Sequence, residues 1–496
     1  MIFAMNLKPP GIVWLGQLFV PLSHLVGSIE NALLLSVWLT QALLLWTIYK
    51  IGESIMPSSR LIPLGGVVFA AGTQAFVGLS SQFFVEPMQA LAVAWTAFIA
   101  VKGREWPAAR TLVHWANAML LGMLAKISTP AYCWLFYIYI AYIVFRGLNK
   151  TGIVLEWAHK PSRLLICVFG LICPLTIIWY AVNWGPVLEH ATYSSSGGVL
   201  GQTLLYGFRA SVGKKMIVWM QLLNQSFLAP YVWVVGILLI AGMFGWKPRP
   251  DGTGLDPIKP AASVRDPMKP WASARGFLLT AAQILAVLLV FSMNDAIEAR
   301  YLYAIVVYLA ILLMMLCTFF RTPAVALLVI AVCGWQWANV HAVALGARTN
   351  FANQFNWLLP VHADRSEYEE LARVVEKTSV NAGQYNIVGV EEAWLNANAA
   401  AFFAAKNRLN TGVRSYYTSL GYAETDSTTA LKRIDTLNTF FVISLDQQHQ
   451  MNPPNFLNVV SLPVLHAIQS ESRFRQLPFP SGKGVLIFER PVSERK

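Results

Sequence analysis

Long charge-free apolar stretches occupy most of the first 348 residues and constrain the fold more than any other feature. A helix needs about 20 predominantly apolar residues to cross the hydrocarbon core of a bilayer. Most of these stretches reach that length; they are residues 9–29, 31–49, 61–85, 87–101, 111–125, 127–145, 164–188, 216–246, 276–294, 301–320 and 322–347. The sequence therefore predicts a mainly α-helical polytopic membrane protein with about 10 transmembrane helices in residues 31–347.

The first stretch differs from the others because Pro9, Pro10, Gly11 and Pro21 interrupt it. Proline and glycine inside a helix weaken or break it. We therefore expect residues 1–30 to form an interfacial segment that lies on the outer membrane surface rather than a full crossing.

The basic residues of the membrane part predict its orientation. The chain carries 37 Lys and Arg against 25 Asp and Glu, and this whole excess falls before Thr349. If the ten stretches from 31–49 onward each cross once, most of these basic residues lie in loops on one side, which is the cytoplasmic side by the positive-inside rule. The excess thus reflects membrane topology and not nucleic-acid binding. We expect a multi-pass protein of a bacterial inner or plasma membrane, with an extracytoplasmic C-terminal domain.

Residues 348–496 read as a separate soluble domain. From Thr349 onward the chain holds 14 Lys and Arg and 14 Asp and Glu, so this part is neutral and polar. Helix and strand patterns alternate along it, which predicts an α/β fold. The predicted helices are 364–379 and 392–406, and the predicted strands are 385–390, 413–417, 439–445 and 484–489. The domain contains no GxGxxG, Walker or Asp-x-Asp sequence, so nucleotide binding has no support there.

Metal-binding patterns are also missing from the sequence. All five cysteines fall within apolar stretches, and the chain contains no CxxC. We expect neither a metal site nor a cofactor, with one alternative: a metal ion held by Glu86 and a second carboxylate from outside the given sequence.

A few charges lie within or beside the spans on the predicted outer side. Ionisable groups at membrane depth are costly and tend to mark functional sites. Glu86, followed by Pro87, is the only charge between Leu61 and Val101; it suits either catalysis or a plain helix N-cap. Arg300 with Tyr301 suits phosphate binding or interfacial anchoring. Lys126 suits anion binding or snorkelling to the interface. The other outer charges are Lys8, Glu30, Glu189, Asp295 and Glu298.

Four short sequences, in this order, resemble motifs of the GT-C superfamily of membrane glycosyltransferases. They are Lys8-Pro-Pro-Gly, Val85-Glu-Pro-Met-Gln-Ala-Leu, Leu124-Ala-Lys-Ile-Ser-Thr-Pro and Glu298-Ala-Arg-Tyr-Leu-Tyr. The likeness is greatest to the group of protein O-mannosyltransferases and lipid A aminoarabinose transferases. It covers about residues 1–345.

The resemblance implies transfer of a sugar from a polyprenyl-phosphate-linked donor to a glycan, lipid or protein acceptor at the extracytoplasmic face. An acid on the outer surface would act as general base, and Glu86 matches the acidic position before the inward span. Lys8, Lys126, Arg300 and Tyr301 match the substrate-binding positions, with Lys126 and Arg300 on the donor phosphate. The expected partners are membrane lipids and the lipid-linked donor, without nucleic acid.

The chain also departs from the family pattern. Family members have a first transmembrane helix and an outer loop with an acidic pair ahead of the Lys8 segment. That loop carries the family's principal catalytic carboxylate, and Lys8 replaces the usual histidine. We expect that the reading frame starts further upstream, so that the chain as given is truncated. A secondary transporter, or an inactive membrane scaffold whose outer domain binds a partner, are the alternative functions.

Overall fold

A computed structural model gives the fold of the chain. It describes residues 9–151, 160–195, 211–224, 227, 274–293, 297, 299–320, 323–344, 366–378, 384–392, 395–411, 415–420, 426–450 and 458–491. Lys8, Asp295, Glu298 and the side chain of Glu189 lie outside this description, as does most of the basic loop at 247–275. By its internal contacts the chain divides into two compact units.

The first unit is a bundle of helices. It consists of α1 (Gly11–Phe19), α2 (Ser23–Val26), α3 (Ile29–Ile55), α4 (Leu61–Ala71), α5 (Gln74–Ser80), α6 (Glu86–Lys102), α7 (Ala108–Ala125), α8 (Thr129–Thr151), α9 (Lys160–Ser195), α10 (Val212–Leu223), α11 (Ala274–Ser292), α12 (Ile305–Phe320) and α13 (Pro323–Ala344). A short 3-10 turn, Ala299–Leu302, precedes α12.

Alanines let the central helices approach closely. On α6, Ala90, Ala94 and Ala97 are fully buried, and α3 packs against this helix. Small residues at a helix interface allow close backbone contact, which stabilises helix association in a membrane. α6 therefore packs closely against α3, α7 and α8.

The described helices confirm that the chain is an integral membrane protein. Four of them are long and apolar enough to cross a bilayer, at Ile29–Ile55, Thr129–Asn149, Arg163–Leu188 and Arg275–Ser292. The pair α4 and α5, bent by 64°, would make a fifth span. Shorter apolar helices cover Gly11–Val26, Ile305–Thr318 and Leu327–Ala342. The count of about ten crossings stays a prediction.

The first segment is helical but broken, as its prolines predict. α1 passes through a 3-10 turn at Val20–Leu22 into α2, which ends at Gly27 with a positive φ of 84°. α1 packs on α3, and Gly11 lies so close to α7 that a Cβ there would stand 2.6 Å from the carbonyl oxygen of Leu124. Its position on a membrane surface stays a prediction.

The second unit is a small three-layer α/β fold. Its elements are α14 (Ser366–Thr378), β1 (Gln384–Val388), α15 (Ala397–Thr411), β2 (Ser415–Ser419), α16 (Ser427–Thr436), β3 (Phe441–Leu445), α17 (Ser461–Ser470), β4 (Arg475–Leu477) and β5 (Val485–Glu489). The strand order is β2-β1-β3-β5-β4. β1 runs parallel to β2 and β3, whereas β5 runs antiparallel to β3 and β4.

Both faces of this sheet are covered. Val388 and Ile443 face the core formed with α14 and α15, whereas Ile387 and Val442 face α16 and α17. Alternating side chains of a strand point to opposite faces, so strands buried on both sides read as nearly continuous apolar runs. The structure confirms the predicted helices and strands with shifts of a few residues, and it adds α16, α17 and β4, which the sequence analysis did not identify.

Candidate functional site

Glu86 is a buried carboxylate at the first turn of α6. Its side chain is 3% exposed, and the helix dipole favours a negative charge at this end. The predicted N-cap position is wrong by one residue: the helix begins at Glu86, and Val85 is the N-cap residue. Pro87 directly after it has no backbone N–H to leave unpaired, which suits the first turn.

Lys126 lies against this carboxylate. α7 ends at Ala125, and Lys126 takes an extended conformation with φ −161° and ψ 135°. Its Nζ donates a hydrogen bond of 3.1 Å to Glu86 Oε1. The side chain of Lys126 is 24% exposed. A lysine that only snorkelled to the interface would have no such partner, so the structure gives Lys126 a specific contact.

Arg300 and Tyr301 approach the same carboxylate from the 3-10 turn before α12. Arg300 Nε stands 3.9 Å from Glu86 Oε1, and the arginine side chain is 23% exposed. Lys126 Nζ lies 4.2 Å from the centre of the Tyr301 ring. A cation within about 6 Å of an aromatic ring centre is attracted by it. The Tyr301 ring therefore packs beside the ammonium group of Lys126.

Four of the five predicted site residues thus meet at one end of the bundle: Glu86, Lys126, Arg300 and Tyr301. The fifth, Lys8, lies outside the described residues. Two cations share one carboxylate oxygen, and the other, Glu86 Oε2, is buried without a hydrogen-bond partner within the described part of the chain. The carboxylate is the deepest of the three charged groups, and both cations are partly accessible.

A set of neutral polar side chains fixes Lys126 relative to α6. Gln89, one turn after Glu86, donates from Nε2 to Ser128 Oγ (3.2 Å) and Thr129 Oγ1 (3.3 Å). The hydroxyl of Thr129 donates to the carbonyl oxygen of Lys126 at 2.7 Å. The turn that carries Lys126 is therefore bonded to the helix that carries Glu86.

Buried polar side chains also hold the first turn of α8. Gln283 of α11 accepts from Leu135 N (2.9 Å) and donates to the carbonyl of Ala131 (3.4 Å). These are the donor and acceptor that an uninterrupted helix would pair with each other. The Tyr308 hydroxyl donates to the Tyr132 carbonyl at 2.5 Å.

The sequence analysis missed Gln89, Thr129, Tyr132 and Gln283. One signal was available for Gln89, because residues three apart on a helix share a face and Gln89 follows Glu86 by three. Thr129 lies within the quoted Leu124-Ala-Lys-Ile-Ser-Thr-Pro sequence. Tyr132 and Gln283 gave no such signal, since their partners lie far away in the sequence.

Chemically, the accessible cations beside an aromatic ring suit an anion with several oxygens, such as a phosphate. A carboxylate beneath them can act as their counter-ion or accept a proton. Within the described residues, no group of three or more His, Cys, Asp or Glu is placed to hold a metal ion.

Comparison with known proteins identifies the fold. No family model matches the chain, and no curated protein sequence does. Among solved structures, ArnT from Cupriavidus metallidurans in the apo state matches with a TM-score of 0.50 at 10% identity, over 99% of this chain and 88% of that one. ArnT from the same organism bound to undecaprenyl phosphate matches with a TM-score of 0.49 at 10% identity, over 99% and 89%. At this identity the apo structure shows a likeness of fold alone: the chain has an ArnT-like fold.

Proposed function

We propose that this chain is a membrane glycosyltransferase that transfers a sugar from a polyprenyl-phosphate-linked donor to an acceptor. The observation that carries the proposal is the convergence of Glu86, Lys126 and Arg300, which lie far apart in the sequence and meet at one oxygen atom. Burying charges in a membrane bundle is costly, so a cluster of both signs favours a site over chance. The undecaprenyl phosphate bound to ArnT is consistent with this ligand class.

Lys126 and Arg300 would hold the donor phosphate. In the transfer, the acceptor's hydroxyl or amine attacks the anomeric carbon of the sugar and forms the new glycosidic bond. The bond from that carbon to the phosphate oxygen breaks, and its electron pair leaves with the polyprenyl phosphate. The two cations stabilise the charge that develops on this leaving group. Tyr301 would position Lys126 and line the phosphate site.

Glu86 would accept the proton that the acceptor loses, as a general base. A base must come within hydrogen-bond reach of that proton. Because Glu86 is 3% exposed beneath its two cations, it would have to be uncovered before it could act.

Several parts of the proposal extend beyond the described site. We place the reaction at the extracytoplasmic face, with the second unit on that side, because the basic loops predict this orientation. Lys8 remains a proposed substrate contact. The acceptor class, a glycan, lipid or protein, stays open. The mechanism uses only side-chain cations at the leaving phosphate, so we propose that no cofactor takes part.

A transfer assay tests the function. The purified chain in lipid nanodiscs receives polyprenyl-phosphate sugars and a panel of acceptors, and released polyprenyl phosphate is measured. We expect release by the wild type, none by Glu86→Gln, and a raised KM for the donor in Arg300→Ala. Glu53→Gln is the control, because it removes a carboxylate that also pairs with a lysine. Glu53 bonds Lys50 at 2.6 Å near the C-terminal end of α3, away from the proposed site, so this variant should behave as the wild type.

Two outcomes would overturn the proposal. Wild-type turnover in Glu86→Gln would remove this residue from the catalytic step. An absence of transfer with every donor, in a folded protein, would favour the scaffold function instead.

A further inference from the structure

The contacts of Glu86 pose a specific problem for the site. Lys126 Nζ and Arg300 Nε lie 3.1 Å and 3.9 Å from the same oxygen of Glu86. These are the cations that the proposed function assigns to the donor phosphate. The cations of the proposed phosphate site are thus already engaged by a carboxylate of the chain itself.

We infer that Glu86 is the built-in counter-ion of this phosphate site, and that the donor phosphate takes its place as the partner of Lys126 and Arg300. The inference rests on the proposed function and deepens it. The two cations exchange one anionic partner for another. Before donor binding they neutralise Glu86, and after it they neutralise the phosphate.

The exposure of the three side chains indicates which of them an entering phosphate reaches first. Both cations are about one quarter exposed, whereas Glu86 is 3% exposed. A phosphate therefore meets Lys126 and Arg300 first. Lysine has a flexible stem of four carbons and a rotatable ammonium group, so Lys126 can turn outward. An arginine binds phosphate through a planar fork of N–H groups, and Arg300 approaches Glu86 through its Nε.

Electrostatics makes the two partners compete. A phosphate and a carboxylate that share two cations are like charges at close range, and each weakens the binding of the other. Glu86 also holds a second oxygen, Oε2, that is buried and without a hydrogen-bond partner among the described residues. An ionised carboxylate in this position depends on its cations, because buried charge is costly without a partner.

The exchange explains how a covered carboxylate can act as a base. Once the phosphate has drawn Lys126 and Arg300 outward, Glu86 is no longer beneath them. A carboxylate that loses its cations and gains a nearby phosphate takes up a proton more readily. Glu86 would therefore be able to deprotonate an acceptor only while the donor is bound, which imposes an order on the reaction.

Binding of the sugar-free lipid tests the inference without requiring turnover. The full chain is placed in nanodiscs of zwitterionic lipid, and its Kd for polyprenyl monophosphate is measured by native mass spectrometry. Polyprenol, which has the same tail without the phosphate, is measured in parallel. Glu86→Gln removes the competing charge at nearly constant volume, and we expect about tenfold tighter binding of the phosphate, as for the loss of a like charge at close range.

A second variant keeps the test decisive if Glu86→Gln does not fold. Glu86→Asp retains the charge but withdraws it by one methylene, so its affinity should lie between those of the wild type and Glu86→Gln. Glu53→Gln, which breaks the ion pair with Lys50, should bind as the wild type. Polyprenol binding should be the same in all four proteins.

The outcomes separate the inference from the function. If the wild type prefers the phosphate to polyprenol, yet Glu86→Gln and Glu86→Asp bind it no more tightly, the exchange is wrong and the proposed function stands. If the wild type binds the phosphate no better than polyprenol, the donor site itself is wrong. In that case both the exchange and the proposed function are contradicted.

Discussion

The hydroxyl of Tyr132 donates a hydrogen bond to the carbonyl oxygen of Tyr301, although 169 residues separate them in the sequence. Tyr132 is fully buried in the first turn of α8, and Tyr301 lies in the turn beside α12. The bond joins the turn that carries Arg300 to the helix that begins three residues after Lys126. One buried hydroxyl thus links the parts of the chain that supply both cations of the site.

Tyr132→Phe should weaken donor binding without abolishing transfer. The ring stays in place, but the turn with Arg300 and Tyr301 loses its tie to α8. A hydrogen bond of this kind contributes roughly 0.5–1.5 kcal/mol, which corresponds to an increase in donor KM of about two- to tenfold, with kcat changed less. Tyr303→Phe is the control, because Tyr303 is equally buried and bonds Gln41 instead. Equal effects of the two variants on KM would argue for a purely structural role.

Gln89→Leu should loosen the turn that positions Lys126, the other cation of the site. Without the amide, the hydroxyls of Ser128 and Thr129 lose the donor that fixes their turn to α6. We expect a several-fold rise in donor KM, on the order of one lost hydrogen bond. Steady-state kinetics with donor varied would show it. Gln41→Leu removes a buried glutamine that bonds Phe76 and Tyr303; a KM effect as large in that variant would contradict the assignment to Gln89.

Tyr301 should act through its ring and not through its hydroxyl. The ring centre lies 4.2 Å from Lys126 Nζ, and such a contact is worth about 0.5–2 kcal/mol. Tyr301→Phe keeps the ring, so the Kd for polyprenyl phosphate should stay near the wild-type value. Tyr301→Leu loses it and should bind several-fold more weakly. A loss in the Phe variant equal to that in the Leu variant would assign the role to the hydroxyl.

The predicted site residues could be found because charges are conspicuous in an apolar sequence. Glu86 is isolated between two spans, and Lys126 and Arg300 lie at the ends of others. Topology alone predicts that they share a face. It does not predict that they meet, because the 3.1 Å and 3.9 Å contacts depend on helix packing. The supporting residues are neutral, and polar uncharged side chains occur in many membrane helices.

In the second unit, apolar runs predicted the buried strands β1, β3 and β5 well. α16 was missed although Asp426 gives a helix-start signal: its side chain accepts from Thr429 N and caps the helix. β4 is only three residues long and lies at the edge of the sheet, where no apolar pattern is required.

This unit should be stabilised by mild acid. Burial raises the pKa of Glu391 above its ordinary 4.5, although hydrogen bonds from Ser419 and Ala397 N oppose the rise. The folded state therefore binds a proton at higher pH than the unfolded state does. This contribution to stability is greatest below pH 4.5 and is lost as the pH rises through the raised pKa of Glu391.

Hydrogen exchange at the β1 amides of the full chain measures this effect. After correction for intrinsic rates, protection should be greater at pH 5 than at pH 7 in the wild type. Glu391→Gln should reduce that difference, because glutamine does not titrate. If the variant shows the wild-type difference, another group is responsible; Glu392, whose pKa burial also raises, would be the next to change.

The most direct test of the central claim is a cryo-EM structure of the wild-type chain in nanodiscs with polyprenyl monophosphate. We predict the phosphate at hydrogen-bond distance, about 2.7–2.9 Å, from Lys126 Nζ and the Arg300 guanidinium, with both side chains drawn away from Glu86. A phosphate bound elsewhere, with the Lys126–Glu86 pair intact, would contradict both the site and the exchange.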